Sequence, residues 1–181
     1  MTSPDIYATP EPRFCQLCGA ALRFRLVEEE QRDRYVCEAC GFIHYLNPRL
    51  VAAALPERIG GGGARQVLLM RRAIEPRRGY WTPPGGFVEL GESAEEAAVR
   101  EGEEEVGLAL EVTGLLGVYS RPAVGLVVVA YRTRALGGEP RCGVEALEAR
   151  WFGTADIPWD DLAFETTVHA LKDWVAAGSD G

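Results

Sequence analysis

One stretch of the chain, residues 86–108 with the sequence GFVELGESAEEAAVREGEEEVGL, constrains its fold and chemistry more than any other. Ser93 with Glu96 three residues later forms a capping box, which predicts the start of a helix. Gly107 stands where a helix ends in a left-handed turn. The sequence therefore predicts a helix over residues 93–106.

Three glutamates of the predicted helix, Glu101, Glu104 and Glu105, point to a metal site. Their spacing of i, i+3 and i+4 puts the three carboxylates on one side of the helix, where they repel one another. They also lie in the last turn, where the helix dipole disfavours anions. A divalent cation such as Mg²⁺ makes this arrangement of carboxylates favourable, because it takes oxygen ligands from carboxylates and substrate phosphates. The alternative is a solvated acidic face.

The same stretch resembles the signature of the Nudix hydrolase family, G-x5-E-x7-R-E-U-x-E-E-x-G-U, in which U is apolar. The matching residues are Gly86, Glu92, Arg100, Glu101, Glu104, Glu105, Gly107 and Leu108. The departure is Gly102, where the signature has an apolar residue. A glycine there is expected to cost about 1 kcal/mol of helix stability relative to alanine and to remove a core contact.

The resemblance implies a divalent metal site, occupied by Mg²⁺ or Mn²⁺. Glu104 and Glu105 would be metal ligands, with Glu101 as a third that is bound directly or through water. The backbone carbonyl of Gly85 would also face the cation.

The resemblance also implies roles in catalysis. Arg100 would pair with Glu92 and orient the helix. The general base varies among Nudix subfamilies, so Glu101, Glu105 and a downstream loop glutamate such as Glu145 all stay open. Glu145 and Glu148 both precede the segment of Trp151 and Phe152, and Glu145 is preferred.

Four of the five cysteines form two C-x2-C pairs, Cys15 with Cys18 and Cys37 with Cys40, with eighteen residues between the pairs. This is the spacing of a zinc ribbon, in which four thiolates close a structural Zn²⁺ site. Disulfides or redox dithiols are the alternatives, and a cytosolic chain disfavours them. We expect the zinc to supply folding free energy to this small unit.

Two further residues near these motifs receive ordinary interpretations. His44 follows the cysteine pairs and is interpreted as a packing or hydrogen-bonding residue, because four cysteines already fill the zinc shell. Cys142 stands alone and is interpreted as a small buried or loop residue.

Apolar periodicity predicts the other elements. The predicted strands cover residues 49–55, 66–71, 114–120, 125–132 and 149–152, and an amphipathic helix covers 164–177. With the resemblance, this pattern implies an α/β fold, the Nudix α/β/α sandwich with a mixed sheet, preceded by a small zinc ribbon. We expect a flexible N-terminus over residues 1–12, the ribbon over 13–46 and the Nudix domain over 47–178.

Composition narrows the partners. The formal net charge of −8 argues against a nucleic-acid-binding surface, which needs concentrated Lys and Arg. No apolar run is long enough to span a membrane, and the N-terminus has no signal-peptide pattern. We therefore expect a cytoplasmic protein with a small-molecule substrate and neither nucleic acid nor membrane as partner.

From Phe14 to about Trp174, the chain resembles the plant-type FAD and ADP-ribose pyrophosphatases and their bacterial relatives within this family. It implies an enzyme, a Mg²⁺-dependent pyrophosphatase that cleaves a nucleoside diphosphate linked to another moiety, FAD or ADP-ribose, and releases AMP. Pro122 stands close to a characteristic proline of ADP-ribose pyrophosphatases. Homodimers are common among such relatives, so a homodimer is among the expected assemblies.

Two alternatives to this substrate class are retained. NADH pyrophosphatases and NAD-cap removers carry a motif Ser-Gln-Pro-Trp-Pro-Phe-Pro-x-Ser after the signature, whereas residues 119–125 here read YSRPAVG. This absence disfavours an NADH or NAD⁺ pyrophosphatase. A non-enzymatic Nudix-type nucleotide sensor is disfavoured because the carboxylates of the signature are intact.

Candidate substrate contacts are side chains with flat apolar or cationic surfaces that suit an adenine ring. They are Arg71, Trp81, Tyr119 and Phe164, with Pro122 beside them. Each of the four also fits core packing or surface solvation.

Overall fold

The structure is a computed structural model, and it describes residues 11–178. The expected flexible N-terminus therefore lies, for residues 1–10, outside the described residues. The chain divides into two compact units on either side of the Pro48–Arg49 bond. Within residues 11–178, no helix is both long enough and apolar enough to cross a membrane.

The first unit is a small antiparallel sheet in the order β1-β2-β3. Its strands are β1 (Leu22–Val27), β2 (Arg32–Cys37) and β3 (Ile43–His44). β1 and β2 pair from Leu22 with Cys37 to Val27 with Arg32. His44 lies on β3, and its ring packs edge-on against Phe42 with 6.3 Å between ring centroids.

The second unit, as far as the structure describes it, holds a seven-stranded sheet and two α-helices. Its elements are β4 (Arg49–Ile59), β5 (Arg65–Arg72), β6 (Trp81–Thr82), β7 (Gly85–Phe87), α1 (Ala94–Val106), β8 (Leu110–Arg121), β9 (Leu126–Ala135), β10 (Ala146–Gly153) and α2 (Glu165–Ala176).

The sheet is mixed, as expected. Its main order is β10-β5-β4-β9-β8, with β6 paired to β5 and β7 paired to β4. β4 and β9 run parallel over the whole length from Arg49 with Leu126 to Glu57 with Arg134, and the other pairs are antiparallel. β4 and β5 form a hairpin that closes over Gly60–Gly63.

Successive side chains of a strand point to opposite sides of the sheet. Because the central strands are apolar at successive positions, both faces of the sheet are apolar. One face packs with α2, and its buried residues include Leu55, Val67, Leu69, Leu171 and Trp174. The other packs with α1, and its buried residues include Ala54, Leu68, Met70, Ala97, Ala98 and Val106. A helix on each face of the sheet is the α/β/α arrangement that the sequence predicts.

Several strands are longer than predicted. β4 continues through Pro56 to Ile59, β8 begins at Leu110 and β10 begins at Ala146. The extra residues pair with neighbouring strands that are distant in sequence, such as Glu57 with Arg134. The apolar periodicity of one segment cannot predict these strand ends, because it carries no information about pairing with distant segments.

Candidate active site

Helix α1 begins and ends where its caps predict. The Ser93 side chain accepts a hydrogen bond from the Glu96 backbone N–H at 3.2 Å, and Glu96 Oε2 accepts one from the Ser93 N–H at 2.7 Å. Gly107 ends the helix in the left-handed conformation, with φ of 64°. The predicted capping box is therefore confirmed, and it fixes where the helix begins.

Glu105 is the most deeply buried carboxylate of the helix, with only 5% of its surface exposed. Its Oε2 accepts a hydrogen bond of 2.7 Å from the backbone N–H of Gly85 on β7. Burial raises the pKa of Glu105 to about 8, although the Gly85 N–H opposes this shift. Burial without an ion-pair partner disfavours the charged form of a carboxylic acid. A bound cation would favour the charged form of Glu105.

Glu101 lies one turn before Glu105, against the glycine that opens the signature. A Cβ atom at Gly86 would lie 2.6 Å from Glu101 Cδ, so any other residue at position 86 would displace this carboxyl group. Burial also raises the pKa of Glu101. The close approach of β7 to α1 thus explains the glycine at the start of the signature.

Arg100 joins the acidic residues of the site. Its Nε and Nη2 donate to the two carboxylate oxygens of Glu92 at 3.0 and 2.9 Å, which is the pairing the resemblance implies. Its Nη1 donates to Glu101 at 2.7 Å and to Glu104 at 3.1 Å. Its Nη2 also donates to the Phe87 carbonyl at 3.1 Å. The hydrogen bonds from Arg100 lower the pKa of Glu92 to about 2.

The three glutamates differ in exposure and in partners. The side chain of Glu104 is 59% exposed, whereas that of Glu101 is 14% exposed. Arg100 binds Glu101 and Glu104, and Gly85 binds Glu105, so the carboxylates do not converge on one point. Among residues 11–178, the cysteines are the only group whose ligand atoms all lie within 4.8 Å of one another. A shared cation would require the exposed Glu104 side chain to turn from Arg100.

Glu145 faces the same site from another loop. Its negative charge is among the causes that raise the pKa values of Glu101 and Glu105. The Glu145 side chain is exposed, and its backbone carbonyl accepts a 2.8 Å hydrogen bond from the Ala73 N–H. The structure therefore brings Glu145 near the helix glutamates.

The loop before Glu145 caps the end of α1. The Arg141 N–H donates to the Val106 carbonyl at 2.9 Å, and the Gly143 N–H donates to the Glu105 carbonyl at 2.8 Å. A Cβ atom at Gly143 would overlap the Glu104 carbonyl oxygen. These bonds satisfy carbonyls that a helix end leaves free, and they tie the loop of Glu145 to the helix of the other glutamates.

Arg72 belongs to the site, and our sequence reasoning missed it. It is 7% exposed, its Nε donates to the Pro76 carbonyl at 2.9 Å, and its charge lowers the pKa of Glu105 against the larger effect of burial. A signal was present, because the period of a strand puts Arg72 on the same face as Leu68 and Met70. An arginine on a buried face indicates a specific partner.

Two predicted substrate contacts lie in the core instead. Trp81 is 8% exposed and packs edge-on against Phe152, with 4.9 Å between ring centroids. Tyr119 is 9% exposed, and its hydroxyl donates a 2.7 Å hydrogen bond to Asp173 Oδ2 on α2. Neither ring offers a free face to an adenine, because both fill the layer between the sheet and α2.

The other predicted substrate contacts are accessible. Phe164 is partly buried just before α2, with the guanidinium of Arg72 5.2 Å and that of Arg121 6.0 Å from its ring centroid. Pro122 follows Arg121 and is exposed at the start of a short 3-10 turn. Arg71 is exposed, and its Nε donates to the Gly79 carbonyl at 2.7 Å. Arg72 and Phe164 thus connect this group to the carboxylate site.

Gly102 requires a correction. We expected the glycine to remove a core contact, but a Cβ atom at this position would lie 3.1 Å from Leu110 Cγ and would overlap Leu110 Cδ1. The Leu110 side chain therefore fills the space that an apolar residue of the signature would take. The substitution within the signature is matched by a large residue on β8.

The four cysteines of the first unit meet the requirements of a zinc site. Cys15 Sγ lies 3.7 Å from Cys40 Sγ, and Cys18 Sγ lies 3.4 Å from Cys37 Sγ. Tetrahedral Zn–S bonds of about 2.3 Å put sulfurs about 3.8 Å apart, close to both distances. Gly19 and Gly41 take the same φ of 75°, and each donates its N–H to the first cysteine of its pair at 2.8 Å. Cys142, in contrast, is exposed in the loop before β10.

Comparison with known families gives two matches. A family model described as NUDIX domain matches residues 48–173. A second model, described as Nudix N-terminal and named for a zinc ribbon, matches residues 13–46.

Individual relatives agree with the family models. An ADP-ribose pyrophosphatase of Methanocaldococcus jannaschii is 38% identical over 135 residues, which are 72% of this chain and 75% of that protein. An NAD-capped RNA hydrolase NudC of Deinococcus radiodurans is 30% identical over 91% of this chain and 57% of its own length. This chain spans only about half to three fifths of such NudC relatives. The crystal structure of a NUDIX hydrolase from Nitrosomonas europaea superposes with a TM-score of 0.86 at 37% identity, over 94% of each chain.

Proposed function

The chain belongs to the Nudix hydrolase family, and we propose that it hydrolyses a nucleoside diphosphate linked to a second moiety, with ADP-ribose or FAD as substrate and AMP as one product. The observation that carries this proposal is the acidic end of α1, where the buried Glu105 and the partly buried Glu101 lie beside the exposed Glu104. A divalent cation would offset the repulsion of these carboxylates, which the C-terminal end of the helix dipole also disfavours.

The residues present fit a divalent cation, Mg²⁺ or Mn²⁺. Glu101, Glu104 and Glu105 would hold it together with the Gly85 carbonyl, because hard cations take oxygen ligands. The cation would neutralise the diphosphate and lower the pKa of a bound water. Arg100 holds Glu101 in place, and its pairing with Glu92 anchors it to the segment before the helix. The exposed Glu104 side chain would turn from Arg100 to reach the cation.

Glu145 serves as the general base in this proposal. It is exposed, and it lies close enough to Glu101 and Glu105 to affect their pKa values. Its carboxylate takes a proton from the attacking water, the water oxygen bonds to phosphorus, and the bond from phosphorus to the bridging oxygen breaks. For ADP-ribose, the products are AMP and ribose 5-phosphate. A positioned base of this kind contributes roughly 10²- to 10⁴-fold to a rate.

The substrate class is supported by the relatives. The protein of Methanocaldococcus jannaschii is named an ADP-ribose pyrophosphatase, and this chain matches three quarters of its length. Phe164, flanked by Arg72 and Arg121, offers an aromatic surface with nearby positive charge that suits a nucleotide.

A second candidate is hydrolysis of NADH, NAD⁺ or an NAD-capped RNA. It is favoured by the NudC relatives, whose matches cover 81–91% of this chain. The acidic composition argued against nucleic acid as a partner, but these relatives keep a capped RNA among the candidates. The sequence of residues 119–125, which departs from the motif of NADH pyrophosphatases, favours the first candidate.

The test is product analysis by chromatography after incubation of the zinc-loaded protein with Mg²⁺ and ADP-ribose, FAD, NADH, NAD⁺ or an NAD-capped oligonucleotide. We expect AMP with ribose 5-phosphate or FMN, and a loss of at least about 100-fold in Glu104→Gln. The matched control is Glu103→Gln, which removes the same charge from an exposed residue of the same helix. Ligand-induced thermal stabilisation without turnover of any substrate would instead indicate a sensor.

A further inference from the structure

A basic segment lies next to the acidic site. Residues 71–80, RRAIEPRRGY, contain four arginines and one glutamate in a chain whose formal net charge is −8. We call this segment the arginine loop. Its local charge of +3 contrasts with the rest of the chain and raises the question of which anion it meets.

The arginine loop is closed by its own backbone. The Arg72 N–H donates to the Tyr80 carbonyl at 2.9 Å, and the Gly79 N–H donates back to the Arg72 carbonyl at 2.8 Å. The Tyr80 N–H donates to the Arg77 carbonyl at 3.1 Å. These bonds hold the loop as a tight connection from β5 to β6, so its side chains start from fixed positions.

The arginine side chains have donors to spare. Arg71 uses its Nε to bind the Gly79 carbonyl, which leaves its two terminal nitrogens toward solvent. The guanidinium of Arg77 lies 5.3 Å from the centre of the Tyr80 ring, and Arg78 is exposed. Within residues 11–178, no carboxylate forms an ion pair with Arg71, Arg77 or Arg78. A guanidinium with free terminal nitrogens matches a phosphate in geometry and charge.

The arginine loop borders the carboxylate site. The Ala73 N–H binds the carbonyl of Glu145, and the loop of Glu145 is itself docked on the end of α1 by the Gly143 N–H, which donates to the Glu105 carbonyl. After the loop, the chain passes through β6 to Gly85, which binds Glu105. A substrate whose diphosphate lies at α1 therefore has the exposed arginines at the edge of its site.

We propose that Arg77 and Arg78, assisted by Arg71, bind a phosphate group of the substrate that lies outside the hydrolysed diphosphate. This inference rests on the proposed function and narrows its substrate class. The ligand chemistry is a phosphate ester on the nucleoside, either the 2′-phosphate of a small nucleotide or the first phosphodiester of an RNA attached to it. The carboxylates of α1 repel anions, and the basic edge offsets this repulsion for a substrate with extra negative charge.

The first test measures binding without turnover. Calorimetry with Mg²⁺ present compares AMP with adenosine 2′,5′-bisphosphate on the wild-type protein and on the double variant Arg77→Gln/Arg78→Gln. We expect the bisphosphate to bind wild type at least about 10-fold more tightly than AMP, and the double variant to lose that preference while AMP binding changes less than about 3-fold.

The charge-matched control is Arg58→Gln/Arg134→Gln. Both arginines are exposed. Arg58 on β4 pairs in register with Gln66 on β5, and Arg134 on β9 pairs in register with Glu57 on β4. Gln66 precedes Arg72 by six residues of strand, which is about 20 Å. The control should keep the preference for the bisphosphate. An equal loss in the control, or no preference in wild type, would overturn the inference.

A second test separates the two sources of the phosphate. kcat/KM is compared for ADP-ribose with 2′-phospho-ADP-ribose, and for NAD⁺ with an NAD-capped oligonucleotide. If wild type has a higher kcat/KM for 2′-phospho-ADP-ribose than for ADP-ribose and the double variant does not, the site binds the phosphate of a small nucleotide. If the same difference is found between the NAD-capped oligonucleotide and NAD⁺, the site binds RNA. Preference in binding without any turnover would refute the proposed function alone, whereas turnover with no effect of the arginines in either pair would refute this inference alone.

Discussion

At the scale of single residues, Tyr119 joins the sheet to α2. Its side chain is 9% exposed, and its hydroxyl donates a 2.7 Å hydrogen bond to Asp173 Oδ2. Because α2 begins more than forty residues farther along the chain, this contact depends on the assembled fold.

Tyr119→Phe tests the structural interpretation of this residue. The variant should lower the free energy of unfolding near neutral pH by about 1–2 kcal/mol, because Asp173 loses its donor. KM for ADP-ribose should stay within about 2-fold of wild type, because the Tyr119 hydroxyl binds Asp173 on α2 and not the substrate. A large increase in KM without loss of stability would instead show that the hydroxyl contacts the substrate.

The pH dependence of the same pair has a definite sign. Burial and the hydrogen bond to Asp173 raise the pKa of Tyr119 above its usual value of 10. Above pH 10 the unfolded chain releases this proton while the folded protein retains it, so stability falls as pH rises. Urea unfolding between pH 8 and 11 should therefore show a steeper decline for wild type than for Tyr119→Phe.

Gly102 and Leu110 form a second pair that can be tested at this scale. Gly102→Ala should destabilise the protein by up to about 2 kcal/mol, because overpacking against Leu110 costs about 1–3 kcal/mol and the gain in helix propensity offsets only about 1 kcal/mol of it. In the Leu110→Ala background, the same change should be neutral or stabilising. Additive effects in this double-mutant cycle would show that the two side chains do not share the space.

At the scale of elements, helix α1 was predictable from end to end, and its surroundings were not. The capping box and the terminal glycine are local signals, so the bounds of the helix follow from the sequence. The contact between Gly143 and the end of the helix joins segments that no periodicity links. β4 likewise extends beyond its apolar core because β9 pairs with it as far as Glu57.

Gly143→Ala tests whether the docked loop positions Glu145. The added methyl group would overlap the Glu104 carbonyl and push the loop away from α1. We expect kcat to fall by at least about 10-fold with KM within about 3-fold, because displacement of a catalytic group by about 1 Å can cost 10²-fold. The pH at which kcat is half-maximal on the acidic side should also move, since it reports the general base.

The control for this variant is Gly61→Ala, in which the new methyl group meets open space at a residue without positive φ. It should leave both kcat and the pH profile unchanged. A Gly143→Ala enzyme that loses stability but keeps the wild-type kcat and pH profile would show that the loop has only a structural role.

At the scale of the whole molecule, the chain combines two units with different sources of stability. The second unit has an apolar core on both faces of its sheet. The first unit has few buried apolar side chains besides those around its cysteines. The division could be predicted because cysteine spacing and helix signature occupy separate segments. The position of each predicted substrate contact could not, because it depends on how the strands assemble.

Cys37→Ser tests this division. Zinc content, measured by metal analysis, should fall from about one per chain to well below one, because a tetrahedral site loses a thiolate. Amide hydrogen exchange in residues 13–46 should become fast, while the strands and helices of residues 49–178 retain their protection. Unchanged protection in residues 13–46 without bound zinc would show that the metal does not stabilise this unit.

A Mn²⁺ titration followed by electron paramagnetic resonance tests whether the glutamates of α1 hold the divalent cation on which hydrolysis depends. Wild type, Glu105→Gln and the control Glu103→Gln are compared, with ADP-ribose turnover measured on the same samples. We expect Glu105→Gln to weaken Mn²⁺ binding by at least about 10-fold, with a parallel loss of turnover, and the control to resemble wild type. Unchanged Mn²⁺ affinity and turnover in Glu105→Gln would show that this carboxylate does not hold the cation.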